Sequence, residues 1–501
     1  MKMLNSERMS SLRQTVMGTY DPETRWRASG LSSLPALADR DREPVVLCMD
    51  ELLFPFCGPD DVLYTRCRIH DDLRAHLDQL GFKFQSRHVF DWSAGQIAEP
   101  PLTLEQFKPC IFRLAARQGR SGHGHTAGEA RQYVNAGARD AHGSETSSGT
   151  AAAYGSDGSH VTGLLSPYAI TEDTAAYLSV YPPVKPLPLL EAVIKVNSKF
   201  YSNRMLQSLG EKAYGIEVHS AAEVESLGQK LLDQGAYLIK DPFGVSGKGN
   251  LLIDSSFMQS RVASHLRKQE ESGLTTRFLL EPFLAKETDF SSQWLIRDTG
   301  TIELISVQRM INHQLNYGGS MTADSAFADR LDKAGYFNVL EQALGRMFED
   351  GYHGFVCVDS MILQGGELVP IVEINARKSM GLINAYLDRF WNRFDKQGWL
   401  TFLSVGLPSG FKFDSFMHTL RDSELLLQSP EGYGVMLLSS NTLTINETLA
   451  QHAAQEGSSP RRGLSKGRLY VSVVGRDEEH RSEIMTRLRG ALSDMSVKIY
   501  N

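Results

Sequence analysis

Two acidic, strand-like runs and one lysine followed by a glycine-rich loop hold most of the chemistry that this sequence can do. Phe355-Val356-Cys357-Val358-Asp359 is apolar and ends in a carboxylate, and Ile371-Val372-Glu373-Ile374-Asn375 sets Glu373 and Asn375 two residues apart. Side chains two apart on a strand share a face. Gly365-Gly366 between the runs signals a hairpin. A two-residue Gly365-Gly366 turn would pair Asp359 with Val372 and leave the acids on opposite faces. A three-residue loop, Gly365 to Glu367, pairs Asp359 with Glu373. In that second register two carboxylates and an amide offer hard oxygen ligands for one or two Mg2+ ions bridging nucleotide phosphates, with Mn2+ an alternative. The competing reading is partly exposed strand acids. Arg377 follows Asn375 by alternation and can hold a phosphate or carboxylate through two hydrogen bonds. Arg309, after the strand-like Ile302 to Gln308, is a second candidate cation.

Lys240 ends another strand-like run, Tyr237 to Lys240. The loop Asp241-Pro242-Phe243-Gly244-Val245-Ser246-Gly247-Lys248-Gly249 follows, then the run Asn250 to Ile253. Glycines let backbone N–H groups come close to an anion, and a lysine at the strand end supplies charge. A Walker A loop would open a helix after its Lys and Ser/Thr; here Gly249 and a strand follow Lys248. An ordinary hairpin with an exposed lysine is the competing reading. A third candidate is Phe278-Leu279-Leu280-Glu281-Pro282-Phe283-Leu284, then Glu287. A connector such as Phe283 can present backbone groups to a base edge. Glu281 or Glu287 can accept a hydrogen bond from an adenine amino group or a ribose hydroxyl.

The elements that must position these residues come from the wider pattern. A chain of 501 residues suggests about three domains. The apolar and charged fractions, 42% and 22%, are those of a globular protein. A net charge of −7 argues against a general nucleic-acid binder. No run reaches the ~18 apolar residues of a membrane span, and the first twenty residues hold no secretory h-region. Five scattered cysteines without a CxxC pair read as reduced thiols of a cytoplasmic protein.

Residues 1–43 are polar and read as a poorly ordered arm. Pro44 to Met49 reads as a buried strand. Asp71 to Leu80 reads as a helix stopped by Gly81. Residues 117–163 include ten glycines in 47 residues and only Val134 and Val161 as large aliphatics. They read as a mobile insertion whose histidines are solvated. Removing most of 121–160 should therefore leave nucleotide binding intact. Later strand-like runs alternate with helical stretches such as Ala222 to Asp233 and Val339 to Phe348. The last ~90 residues read as a further unit, with Gly434 to Leu438 and Leu469 to Val474 as strands and Glu478 to Leu492 as an amphipathic helix.

In this order the elements resemble the ATP-grasp superfamily over about residues 195–400. Asn197-Ser198-Lys199 before a helix, with Leu209-Gly210 and Tyr214-Gly215-Ile216-Glu217-Val218, is similar to the family's first nucleotide lysine and the helix behind it. Lys240 and its loop match the second lysine and the phosphate-covering loop. Glu281 and Glu287 match the adenine hinge and the ribose carboxylate. Asp359, Glu373 and Asn375 match the magnesium triad. VNSKFYS, INARKSMG and EGYGVMLLSS further resemble the ATP-grasp peptide ligases of bacterial natural-product pathways, of the pheganomycin-ligase type.

The resemblance implies an α/β chain with the ATP-grasp fold. A pre-ATP-grasp α/β domain (44–194) would precede it and a small C-terminal α/β domain (409–501) would follow. The nucleotide domain (195–408) would divide into a lid at about 205–280 and a metal and phosphate subdomain at about 281–408. The implied reaction joins a carboxylate to an amine through an acylphosphate, with release of ADP and phosphate. The substrates would be amino acids or peptides, with neither nucleic acid nor membrane as partner and a homo-oligomer left open. Lys199 and Lys240 would hold the α/β-phosphates, Gly244 to Gly249 would cover the β/γ-phosphates, and Arg309 and Arg377 would steady the transferring phosphate. His353 and His313 are the candidate bases for the amine. The competing functions are a kinase acting on a hydroxyl and a non-catalytic nucleotide-binding scaffold.

Overall fold

The computed structural model describes residues 12–35, 39, 41–91, 107–121, 163–181, 183–244, 249–313, 316–455 and 463–501. The chain builds three sheets. The first is parallel and four-stranded: β1 (Gln14–Met17), β2 (Val62–Cys67), β3 (Gln85–Phe90) and β4 (Leu164–Pro167), in the order β3-β2-β1-β4. The helix Asp71–Gln79 turns Leu73 and Leu77 inward, and Gly81 at φ 97° ends it in a conformation that favours glycine.

Two expectations are corrected here. Residues 14–35 are not an arm: β1 lies between β2 and β4, and Thr15, Val16 and Met17 are buried. Four residues are too short a run to show a strand period, so polar flanks hid it. Pro44 to Met49 is not a strand. A helix spans Arg42–Leu47 and a 3-10 helix spans Met49–Phe56. Pro44 sits in the first helical turn, where its missing N–H costs nothing. Nearly all of the 117–163 insertion, including its histidines, lies outside the described residues.

The second sheet is antiparallel: β5 (Ile216–Val218), β6 (Tyr237–Lys240), β7 (Asn250–Ile253) and β8 (Phe278–Pro282), in the order β5-β8-β6-β7. The helices Ala221–Leu232 and Ser256–Glu271 accompany it. Each starts on a serine, Ser220 or Ser255, whose hydroxyl accepts a backbone N–H of the first turn. This lid has its own core, which includes Val218, Val224, Tyr237, Ile239, Val262, Leu266 and Leu280.

The third sheet has nine antiparallel strands: β9 (Lys286–Ile296), β10 (Ile302–His313), β11 (Asn316–Thr322), β12 (Gly354–Leu363), β13 (Leu368–Asn375), β14 (Gln397–Leu407), β15 (Gly434–Leu437), β16 (Ser465–Gly475) and β17 (Lys498–Ile499). Its order is β13-β12-β9-β10-β11-β14-β16-β15, with β17 beside β14. The unit expected at 409–501 therefore has no sheet of its own. β14 carries the large antiparallel sheet into it, and one apolar core runs from Val16 to Val497. The chain is thus an α/β protein with a parallel sheet, a small antiparallel sheet and a large antiparallel sheet. Among the described residues no helix is long and apolar enough to cross a membrane.

Candidate active site

The acids meet through an irregular hairpin. Near its tip Ile362 pairs with Leu368. The Leu363 N–H bonds the Glu367 carbonyl at 2.8 Å, so the loop is Gln364 to Gly366, one residue earlier than expected. Further in, Ser360 alone faces Pro370, Ile371 and Val372, a bulge that brings Asp359 opposite Glu373. The Ser360 hydroxyl pins that bulge by donating to the Pro370 carbonyl at 2.8 Å. The row continues across the sheet through Ser291 to Gln308.

Burial, and then the negative charge of Glu373, push the Asp359 carboxyl up to about 7. Asn375 donates to Asp359 at 3.0 Å, and its amide oxygen accepts from Arg377 at 3.0 Å. Among the described residues no group of three or more His, Cys, Asp or Glu converges. Two carboxylates that repel each other, with an amide beside them, are the donor set that a hard divalent cation would relieve. The residues fit Mg2+.

Lys199 opens the helix Lys199–Leu209, and its N–H bonds the Pro242 carbonyl at 3.0 Å. Its buried ammonium donates to Glu373 at 2.7 Å and to the Gly244 carbonyl at 2.6 Å, bridging the acid face to the lid loop. Asn197 fixes the approach by accepting the Ala376 N–H at 2.9 Å. On the lid, the buried Lys240 pairs with Glu281. The loop leaves Lys240 through the Asp241 N–H, which bonds Gly249 at 2.6 Å. The Gly244 N–H returns to the Asp241 carbonyl at 3.2 Å. Gly249 has φ 83°, and a Cβ there would stand 2.7 Å from the Gly244 Cα. Glycine is required at this position. Val245, Ser246 and Gly247 lie outside the described residues.

A narrow cavity separates lid and metal face. Lys199 and Glu281 line it together with the apolar Leu206, Leu284, Met361 and Ile371. Asn203 and Tyr214 add polar groups to the same lining. Leu284, Met361 and Ile371 were not singled out from the sequence. The signal for Met361 was there, since it lies two residues past Asp359 on the same face.

Other candidates are placed differently. Arg309 belongs to the row Arg309–Phe290–Ser360, on the face opposite Asp359, so the structure does not bring it to the acids. Glu287 is held by Arg330 through bonds of 2.7 and 3.0 Å at a half-exposed position, and those bonds lower its pKa. Phe283 is 47% exposed, and its N–H is already bonded to the Ala236 carbonyl at 2.9 Å. His353 precedes β12, six residues and about 20 Å along the chain from Asp359. The His313 side chain is outside the described part.

Arg377 is at the site, with a partner that sequence reasoning missed. Glu23 accepts from its Nε at 2.6 Å, and the Tyr168 hydroxyl accepts at 3.1 Å. Next to it the buried Lys378 has no carboxylate partner among the described residues. Its ammonium donates to the Ser166 hydroxyl at 3.0 Å and the Pro167 carbonyl at 2.5 Å, and burial pushes its pKa down to about 7.

No family model matches the chain. It is similar to the [butirosin acyl-carrier protein]–L-glutamate ligase of Niallia circulans, with 25% identity over 193 residues. That match takes in 38% of this chain and 45% of the relative, so it spans less than half the relative's length. Among solved structures, the biotin carboxylase domain of the Hydrogenobacter thermophilus 2-oxoglutarate carboxylase, in complex with MgADP, ADP and bicarbonate, is 10% identical. The match covers 98% of this chain and 91% of that one, with a TM-score of 0.48. A carboxyaminoimidazole ribonucleotide synthase from Aspergillus clavatus, complexed with ATP, is 12% identical over 66% of this chain and 82% of that one, with a TM-score of 0.42.

Proposed function

We propose that this chain, an α/β protein with the ATP-grasp arrangement, is an ATP-dependent carboxylate–amine ligase. The observation that carries the reading is one constellation: Asp359 stands opposite Glu373 on neighbouring strands, the buried Lys199 pairs with Glu373, and the buried Lys240 pairs with Glu281, which lines the same cavity as Lys199. A relative named as a ligase acting with L-glutamate and an acyl-carrier protein supports it. The finer reading is amide formation between amino acids or peptides in a bacterial natural-product pathway.

In this reading residues 195–408 bind the nucleotide. Lys199 and Lys240 exchange their present partners, Glu373 and Glu281, for the α/β-phosphates. The apolar walls take the base, and Gly244 and Gly249 hold the ends of the loop over the β/γ-phosphates. Mg2+ held by Asp359, Glu373 and Asn375 would supply neutralising charge. A substrate carboxylate oxygen then attacks the γ-phosphorus and ADP leaves. The amine nitrogen attacks the acyl carbon next, and phosphate leaves as the C–N bond forms. Loop closure would exclude water, which competes for the acylphosphate. Arg377, beside Asn375, would steady the anionic intermediate.

The test is a hydroxylamine trap. Amino-acid carboxylates, L-glutamate first, are incubated with the protein, MgATP and hydroxylamine. The expected products are an acyl hydroxamate and stoichiometric ADP. A stable phosphorylated product without hydroxamate would make the chain a kinase. AMP and pyrophosphate would overturn the γ-phosphate chemistry.

A further inference from the structure

The N-terminal segment that follows β1 reaches both Arg377, just past β13, and Asp241, at the base of the glycine loop. The short helix Pro22–Trp26 carries Glu23, and Arg27 follows one turn on, so the two side chains stand four residues apart on one side. Glu23 grips Arg377 on the metal side at 2.6 Å. Arg27 grips Asp241 on the lid side, its Nε donating at 2.9 Å. The Arg27 guanidinium is itself held by the Leu31 and Ser32 carbonyls. Asp241 follows Lys240 and forms the base of the glycine loop, accepting the Phe243 N–H at 3.0 Å besides its bonds to Gly244 and Gly249.

The segment then runs along the lid. The Ser32 N–H bonds the Thr275 carbonyl at 2.9 Å, and the Thr275 N–H bonds the Gly30 carbonyl at 2.8 Å. The buried hydroxyls of Ser32 and Thr276 meet at 3.1 Å. Ser33 exchanges two 2.9 Å bonds with the Gln269 side chain, and Leu34 packs on the lid core. Arg25, on the same helix, turns instead to Asp21 and Asp173, away from the cavity.

We propose that Glu23 and Arg27 form a brace between Arg377 and the base of the glycine loop. In it Arg27 is a positioning residue that holds Asp241, and through it the loop ends Gly244 and Gly249, in place for nucleotide binding. The proposal rests on the nucleotide-site reading above. Coupling of this kind is reciprocal, so nucleotide should in turn protect the brace.

The experiment uses the full chain and the non-hydrolysable Mg·AMP-PNP, titrated calorimetrically, with amide hydrogen exchange followed in parallel. Arg27→Gln should weaken binding about 10-fold and speed exchange of the Asp241 and Gly244 amides. Arg27→Lys, which keeps a cation on Asp241, should recover part of the affinity. Arg25→Gln should stay within about twofold of wild type, although it removes an ion pair from the same helix. Wild-type affinity and exchange in Arg27→Gln would overturn the brace, and so would equal losses in Arg25→Gln and Arg27→Gln. Should Arg27→Gln fail to fold, Arg27→Lys decides: affinity below wild type supports the brace and wild-type affinity overturns it. If the wild-type chain binds no AMP-PNP, the nucleotide reading fails. The exchange comparison on the ligand-free chain then still judges whether Arg27 holds the loop base.

Discussion

At the scale of single residues, the site works by placing like charges together and unlike charges within reach. Burial and the charge of Glu373 raise the cost of ionising Asp359, and a divalent cation would offset that cost. Replacing Asp359, Glu373 or Asn375 by alanine should lower turnover, read as ADP release, by about 10²-fold, while melting temperature changes little. Wild-type turnover in all three would exclude the metal assignment. Lys378 allows a second test, on stability. Its pKa is lowered from 10.5 to about 7 in the folded chain. Between those values the unfolded chain binds more protons, so stability rises with pH across that window. Lys378→Met lacks the group. Wild type should therefore gain stability relative to Lys378→Met as pH rises from about 7 to 10.5, as measured by urea unfolding at several pH values. A pH-independent difference would show that Lys378 titrates normally.

At the scale of elements, the hairpins and loop bases decide which side chains meet. Gly249 and Gly365 both have positive φ, yet their surroundings differ. A Cβ at 249 would collide with Gly244, whereas one at 365 would meet nothing within 4 Å. Gly249→Ala should weaken Mg·AMP-PNP binding at least 10-fold. Gly365→Ala should cost only about 1 kcal/mol of stability and leave binding unchanged. Equal binding losses would mean that the loop base has no special role.

This part of the molecule was largely legible in the sequence, because strand alternation and a glycine pair report directly on which faces and turns form. Asp359, Glu373, Lys240 and the strands under them stand where that reasoning put them. The bulge at Pro370 to Val372 was not legible, since pairing partners depend on the neighbouring strand and not on local pattern. Arg309 was placed by residue type alone, and one step of alternation sends it to the opposite face. Glu23 was beyond reach for a different reason. It lies 354 residues from Arg377, in a segment whose polarity resembles that of a tail.

At the scale of the whole molecule, the parallel sheet, the metal-side sheet and the C-terminal strands share one core, and the lid keeps its own. Buried polar contacts stitch the large core together. Glu51, in the 3-10 helix, accepts the Ser440 N–H at 2.5 Å, the Ser440 hydroxyl at 3.0 Å, the Asn441 N–H at 3.1 Å and the Asn441 amide. Glu51→Gln turns an NH2 group toward those donors. It should destabilise the chain by about 2 kcal/mol in denaturant unfolding, without altering the nucleotide site.

The paired lysines have a consequence for how a nucleotide arrives. Lys199, Lys240, Arg27 and Arg377 each already hold a carboxylate, in a chain of net charge −7. An approaching triphosphate would therefore meet these four cations already paired. Its charge is accommodated late, by exchange of one ion pair for another. Ionic strength that slows capture at an open basic cleft should leave the association rate of Mg·AMP-PNP here unchanged or slightly faster between about 20 and 200 mM salt, as stopped-flow fluorescence would show.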